Sequence, residues 1–197
     1  MTALRRSDLD PDPLRQVERW RHEAAEAGVD TTLAALATAS PTGRPSVRMV
    51  LVKGLEEGGF RFFTNYESRK ARELAENPLA ALLFHWPGRQ LRVEGGVERL
   101  SDAESDAYFD ARPPRSRLSA AVSPQSRPVA SREELEAAVR ELEAAHPEGD
   151  LPRPANWGGY RLLPNAYEFW QHDRHRMHDR FRYTSAEGGW VVERLGP

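Results

Sequence analysis

Residues 33–64 read LAALATASPTGRPSVRMVLVKGLEEGGFRFFT, and this stretch decides the fold. Three short apolar runs, 33–39, 47–53 and 60–64, are separated by Pro41-Thr42-Gly43-Arg44 and by Glu57-Gly58-Gly59. Proline and glycine at those points set the backbone angles of tight turns, so the runs are expected to pair as an antiparallel β meander. Downstream, Ser68 is expected to cap a short helix that ends before Pro78, and residues 80–86 and 90–97 have the length and composition of paired barrel strands. Upstream, Asp12-Pro13 opens a helix with Leu14, Val17 and Trp20 at helical spacing ahead of Gly28, and residues 1–11 are expected to form a flexible arm.

The second half begins with helix signals. Ser101 with Glu104 and Ser131 with Glu134 form S-x-x-E capping boxes, the second leading into a charged amphipathic stretch to about His146. Strand-like runs return at 159–163, 167–170, 181–183 and 190–195, so the last third is expected to rejoin the sheet of the first. Six or more short strands with late helices predict one α+β domain, residues 12–197, around a closed or nearly closed barrel.

Composition narrows the chemistry. The 197 residues contain no cysteine, which excludes disulfides, thiolate metal sites and cysteine nucleophiles. A formal net charge of −2 supplies no global field for nucleic acid or an anionic membrane, so basic clusters read as local anion sites. No apolar run approaches the roughly 20 residues of a membrane span, and the N-terminus lacks a secretory leader, so a cytoplasmic location is expected.

Three clusters carry chemistry. Arg48-Met49-Val50-Leu51-Val52-Lys53 is an apolar strand with a cation at each end, and Arg69 and Lys70 fall in the first turn of the helix after Ser68. Free backbone N–H groups there favour a phosphate; the alternative is that these cations are solvated or paired with Glu67 and Glu73. Tyr108, Arg112, Arg115, Ser116 and Arg117 offer a second anion site, or simply complement a helix C-terminus. The run EFWQHDRHRMHDRF, 168–181, brings Trp170, three histidines and three arginines together. Read as a strand it sends His172, His175 and His178 to alternating faces, which argues against a metal; His178 is a candidate proton carrier and Arg176 an anion clamp.

Eight segments, RMVLVK (48–53), FFTNYESRKA (62–71), GRQLRVEG (88–95), YFDARPPRS (108–116), SPQSRPV (123–129), NWGGYRL (156–162), EFWQ (168–171) and RMHDRFRY (176–183), resemble in content and order those of pyridoxamine 5′-phosphate oxidases. The resemblance implies an FMN-binding split β-barrel and a homodimer holding FMN at the subunit interface. It places Arg48, Met49, Val50, Leu51, Val52, Lys53, Phe63 and Thr64 along the flavin and Arg69 and Lys70 on its phosphate, with Gln90, Gln125, Ser126, Trp170 and Arg180 as further contacts, some from the second subunit. Lys53, Tyr108, Arg112 and Ser116 resemble the substrate-phosphate cradle, and Arg176 and His178 the pair that covers the substrate ring. The implied reaction is hydride transfer from pyridoxamine or pyridoxine 5′-phosphate to the flavin, with molecular oxygen as final acceptor.

The chain departs from the family pattern in its short N-terminal arm and at His172-Asp173, where glycine is usual after Trp170-Gln171. Two alternatives follow: a same-fold FMN oxidase of larger substrates, resembling those of phenazine biosynthesis, and a non-catalytic flavin or pyridoxal phosphate binding protein.

Overall fold

The computed structural model describes residues 2–55 and 58–197; Met1 of the arm and Glu57 of the second turn lie outside the described residues. Helix α1 (Pro13–Glu26) starts as read, with the Asp12 carboxylate accepting the Leu14 N–H and proline in the first turn, where its missing N–H costs nothing. Its buried stripe of Val17, Trp20 and Ala24 packs on the barrel, and Trp20 meets Phe169 edge-on at 5.1 Å.

Eight strands follow: β1 (Leu33–Ala39), β2 (Pro45–Gly54), β3 (Phe60–Asn65), β4 (Leu79–Trp86), β5 (Arg89–Arg99), β6 (Trp157–Gln171), β7 (Asp179–Ala186) and β8 (Gly189–Leu195). Their order is β3-β2-β1-β4-β5-β6-β7-β8, all antiparallel, and β3 also pairs with β6. That extra pairing closes six strands into a barrel, so no edge is left among them. Period-two alternation sends Leu36, Phe62, Leu82, Phe84, Leu91 and Val93 into a core that excludes water. The remaining pair, β7 and β8, extends the sheet from the far half of β6.

Strand β6 corrects the expectation of two separate runs, because it is continuous for 15 residues. Its partner β5 shifts register between Glu94 and Gly95, and this bulge accommodates Pro164. A side chain at Gly95 would meet the Leu163 carbonyl oxygen at 2.0 Å, so only glycine fits. Residues 172–178 form a loop between β6 and β7 rather than a strand, so the alternating-face argument about the three histidines does not apply.

Helices α2 (Arg69–Glu76), α3 (Asp102–Asp110) and α5 (Arg132–Ala145) begin at the serines expected to cap them. The box at Ser101 is reciprocal, whereas the Glu134 carboxylate accepts the Ala130 N–H instead of turning back to Ser131. Helix α4 (Pro114–Val122) was not expected: Pro113-Pro114 reads as an interruption, yet Pro114 occupies the first helical position.

Helix α2 is riveted to the barrel through Glu73. Thr38 on β1 and Ser46 on β2 donate hydroxyls to its carboxylate, Arg69 Nε donates at 2.8 Å and Arg48 Nη2 lies at 3.3 Å. Burial pushes the carboxyl up, but the four donors outweigh it and hold the group down at about 2 against its usual 4.5.

A carboxyl depressed in the folded state contributes stability above its unfolded value and loses it as pH falls through the folded one. Urea unfolding should therefore show this contribution fading as pH drops from 4.5 toward about 2. Glu73→Gln should lose about 1–3 kcal/mol at neutral pH and show a flatter acid limb. Gly95→Ala should cost about 1–3 kcal/mol at any pH, read as a lower Tm.

Candidate active site

One cavity of about 400 Å³ gathers ten of the residues singled out in the sequence. Met49, Val50, Leu51 and Lys53 reach it from β2, and Phe63 and Thr64 from β3. Lys70 enters from α2, Tyr108 from α3, Arg112 from the turn into α4, and Gln125 from the loop beyond α4. Asn65, Ser119, Ala120, Ser123 and Trp157 also line it and were missed. Ser119, Ala120 and Ser123 follow Ser116 at helical spacing, a signal hidden by the unforeseen α4.

Flat rings build one wall. Phe63 stacks on Tyr108 with centroids 3.7 Å apart, Trp157 continues the stack 5.7 Å from Phe63, and the Arg112 guanidinium lies 4.7 Å over Trp157. Gly158 and Gly159 let β6 pass close behind, since a side chain at Gly158 would strike the Tyr66 hydroxyl at 2.1 Å.

Two cations face this cavity without anions. Lys70 Nζ donates to Thr64 Oγ1 at 2.9 Å and Gln125 Oε1 at 2.8 Å, and no carboxylate among the described residues pairs with it. Burial, reinforced by the charge of Arg48, lowers its ammonium to about 8. Arg112 has Nη1 buried with no hydrogen-bond partner among the described residues, and burial lowers it too. An orphaned guanidinium nitrogen and an ammonium without a carboxylate partner, lining one cavity, fit ligands that bring their own negative charge, and the stacked rings fit a flat aromatic body.

Other expected residues stand elsewhere. Arg48 and Arg69 are turned to Glu73 and do not line the cavity, while Val52 points into the barrel core. Ser116 lies outside the lining, as does Ser126, which has a positive φ of 70° just after Gln125. Gln90, Trp170 and Arg180 form a row across β5, β6 and β7, in which Arg180 Nε donates to Glu168 at 2.9 Å. His178 joins this row with its ring 4.7 Å from Trp170, and its Nδ1 accepts the Asp173 N–H, so the neutral ring carries its proton on Nε2. Arg176 is exposed in the same loop. Trp170 is at the opposite end of β6 from Trp157, on the order of 40 Å along the strand, so one chain holds this row and the cavity apart.

The outer face of β2, β1 and β4 is apolar and exposed. Leu33 sits opposite Leu51, Ala35 between Met49 and Leu83, and Ala37 opposite Val47. Val47 is 69% and Met49 60% accessible. Met49 and Leu51 belong both to this face and to the cavity, so whatever covers the face also walls the cavity.

Sequence profiles of two families match. Residues 21–146 fit the pyridoxamine 5′-phosphate oxidase family and residues 157–197 the pyridoxine 5′-phosphate oxidase C-terminal dimerisation region. A pyridoxine/pyridoxamine 5′-phosphate oxidase of Paraburkholderia phymatum is 52% identical, over 97% of this chain and 92% of that protein. One from Ralstonia nicotianae is 55% identical with the same coverage. Among solved structures, PhzG from Burkholderia lata 383, in complex with tetrahydrophenazine-1-carboxylic acid, matches with a TM-score of 0.93 and 33% identity, over 100% of this chain and 99% of that one. An FMN binding protein of Nostoc punctiforme shares the fold at 21% identity and a TM-score of 0.75, over 94% of this chain and 98% of that one. With the barrel, the cavity and relatives this similar over nearly the whole length, the chain belongs to the pyridoxamine 5′-phosphate oxidase family of enzymes.

Proposed function

We propose that the protein is a homodimeric, cytoplasmic oxidase that converts pyridoxamine 5′-phosphate, oxygen and water to pyridoxal 5′-phosphate, ammonia and hydrogen peroxide, and pyridoxine 5′-phosphate and oxygen to the same aldehyde and peroxide. The cofactor is FMN. The observation that carries the reading is the pair of cations, buried Lys70 and half-buried Arg112, left without anions among the described residues in one cavity whose wall is a stack of flat rings. Two phosphates, one on the cofactor and one on the substrate, answer two cations.

When bound, FMN supplies the redox chemistry, accepting a hydride and passing electrons to oxygen. The chain supplies placement. Lys70, steadied by Thr64 and Gln125, holds the cofactor phosphate, while Arg48 and Arg69 fix α2 through Glu73 and so aim Lys70. Met49, Val50 and Leu51 with Phe63 bed the flat ring system. Arg112 and Lys53, with Tyr108 and Ser116, hold the substrate phosphate; burial raises the Tyr108 phenol although Arg112 opposes it, so it remains a donor. Holding the phosphate remote from the reacting carbon fixes the ring in a reactive pose. Gln90, Trp170, Arg176, His178 and Arg180 complete the site from a second copy, because their own chain keeps them at the far end of β6. The exposed apolar face of β2, β1 and β4 is the surface that copy covers, in keeping with a profile match to a dimerisation region. Among the described residues no helix is long and apolar enough to cross a membrane.

The match to PhzG supports a second reading, oxidation of a larger ring acid, in which Arg112 would hold a carboxylate. Peroxide release with pyridoxamine 5′-phosphate but not with unphosphorylated pyridoxamine would favour the first; turnover of a tricyclic acid alone would favour the second.

Lys70→Met should weaken FMN binding roughly 10- to 100-fold, measured by quenching of flavin fluorescence. Wild-type affinity should fall as pH rises past about 8, where the free ammonium loses its proton, and the variant should lack that dependence. Arg112→Ala should lower kcat/KM for the phosphorylated substrate roughly 100-fold with FMN still bound; wild-type kinetics would remove it from the substrate site. At FMN concentrations that load wild-type chains but neither variant, Lys70→Met and Trp170→Ala chains should recover about one quarter of wild-type activity when unfolded and refolded as an equal mixture, since half the dimers then contain one intact site of two.

A further inference from the structure

The loop 172–178 carries Arg176 and His178 with little packing of its own. Arg174, His175, Arg176 and Met177 are all exposed, and Arg176 has a φ of 64°, unfavourable for a residue with a side chain. Asp173 organises the interior, accepting the N–H groups of His175 at 2.8 Å and Met177 at 3.3 Å. The base of the loop is the facing pair Gln171 and Asp179, both buried.

Each member of that pair is tied to the N-terminal segment. Gln171 Nε2 donates to the Thr2 carbonyl at 2.7 Å, and the Leu4 N–H donates to Asp179 Oδ2 at 2.8 Å. Arg194 on β8 closes the arrangement, with Nη1 2.7 Å from Asp179 Oδ1 and Nη2 2.9 Å from the Leu4 carbonyl. The Leu4 side chain is buried in the main core, and Arg6 donates to the Val192 carbonyl. Removing the segment would leave a buried carboxylate without its backbone donor at the residue next to His178.

The geometry points to residues 2–6 as a strap that positions the loop bearing Arg176 and His178, with Leu4 and Asp179 as positioning residues for the reaction. This rests on the reading of Arg176 and His178 as groups that complete the cavity of a second copy. The strap grips the end of β6 remote from its own chain's cavity, so it acts on the partner's site and not on its own.

A chain lacking residues 1–5, and the shape-preserving Asp179→Asn in the full chain, test it. Amide hydrogen exchange of 172–178 in FMN-free protein should rise about tenfold or more in both, with α2 unchanged. FMN affinity should stay within about twofold while KM for pyridoxamine 5′-phosphate rises about fivefold or more. Mixed with Lys70→Met chains, the truncated chain should regain turnover with wild-type KM, because its intact cavity then receives an intact strapped loop. Unchanged exchange in Asp179→Asn overturns the strap, as does no recovery in this mixture while the Lys70→Met and Trp170→Ala mixture recovers. Failure of both mixtures overturns the shared site instead.

Discussion

The constraint on which the architecture depends is the double pairing of β6. Residues 157–162 run beside β3 and residues 160–171 beside β5, and only a chain segment that does both can close the barrel. The bulge at Gly95 makes this possible by letting a proline-containing strand continue without losing its partner. Closure then fixes two distant things at once. Trp157 is delivered to the cavity wall, and Trp170 to the opposite end, with Gln90 and Arg180 on either side.

Electrostatics divides the cations near the cavity into two kinds. Arg48 and Arg69 are spent on Glu73, whose carboxylate is also held by Thr38 and Ser46, and this joins α2 to β1 and β2. Lys70, the next residue on the same helix, is left with neutral partners only among the described residues. A rigid frame of satisfied charge around an unsatisfied one is what a preorganised anion site requires, since the frame keeps the ammonium from finding a carboxylate of its own.

Much of the fold was legible because its signals are local. Turn residues at Pro41–Arg44, the proline after Asp12 and the capping serines at 68, 101 and 131 act through neighbours a few positions away. The continuity of β6 is not legible, because the bulge that permits it, with Asn165 as the extra residue, forms against Glu94 and Gly95, some seventy residues earlier in the chain. Helix α4 was obscured by a proline pair whose second member starts it. The ten cavity residues lie in quoted motifs, whereas Ser119 and Ala120 lie outside them, on helix α4. The attachment of Thr2 and Leu4 to Gln171 and Asp179 pairs positions about 170 residues apart, beyond any periodic pattern.

Met49 and Leu51 have one side against the cavity and belong to the exposed apolar face of β2. In the proposed dimer these two residues make ligand binding and subunit association a single linked equilibrium: each free-energy gain from filling the cavity is returned as tighter association, and the reverse holds by thermodynamic reciprocity. Dilution and cofactor depletion would then be equivalent stresses on the same protein, and its working state would be set jointly by how much of the chain and how much of the cofactor a cell maintains.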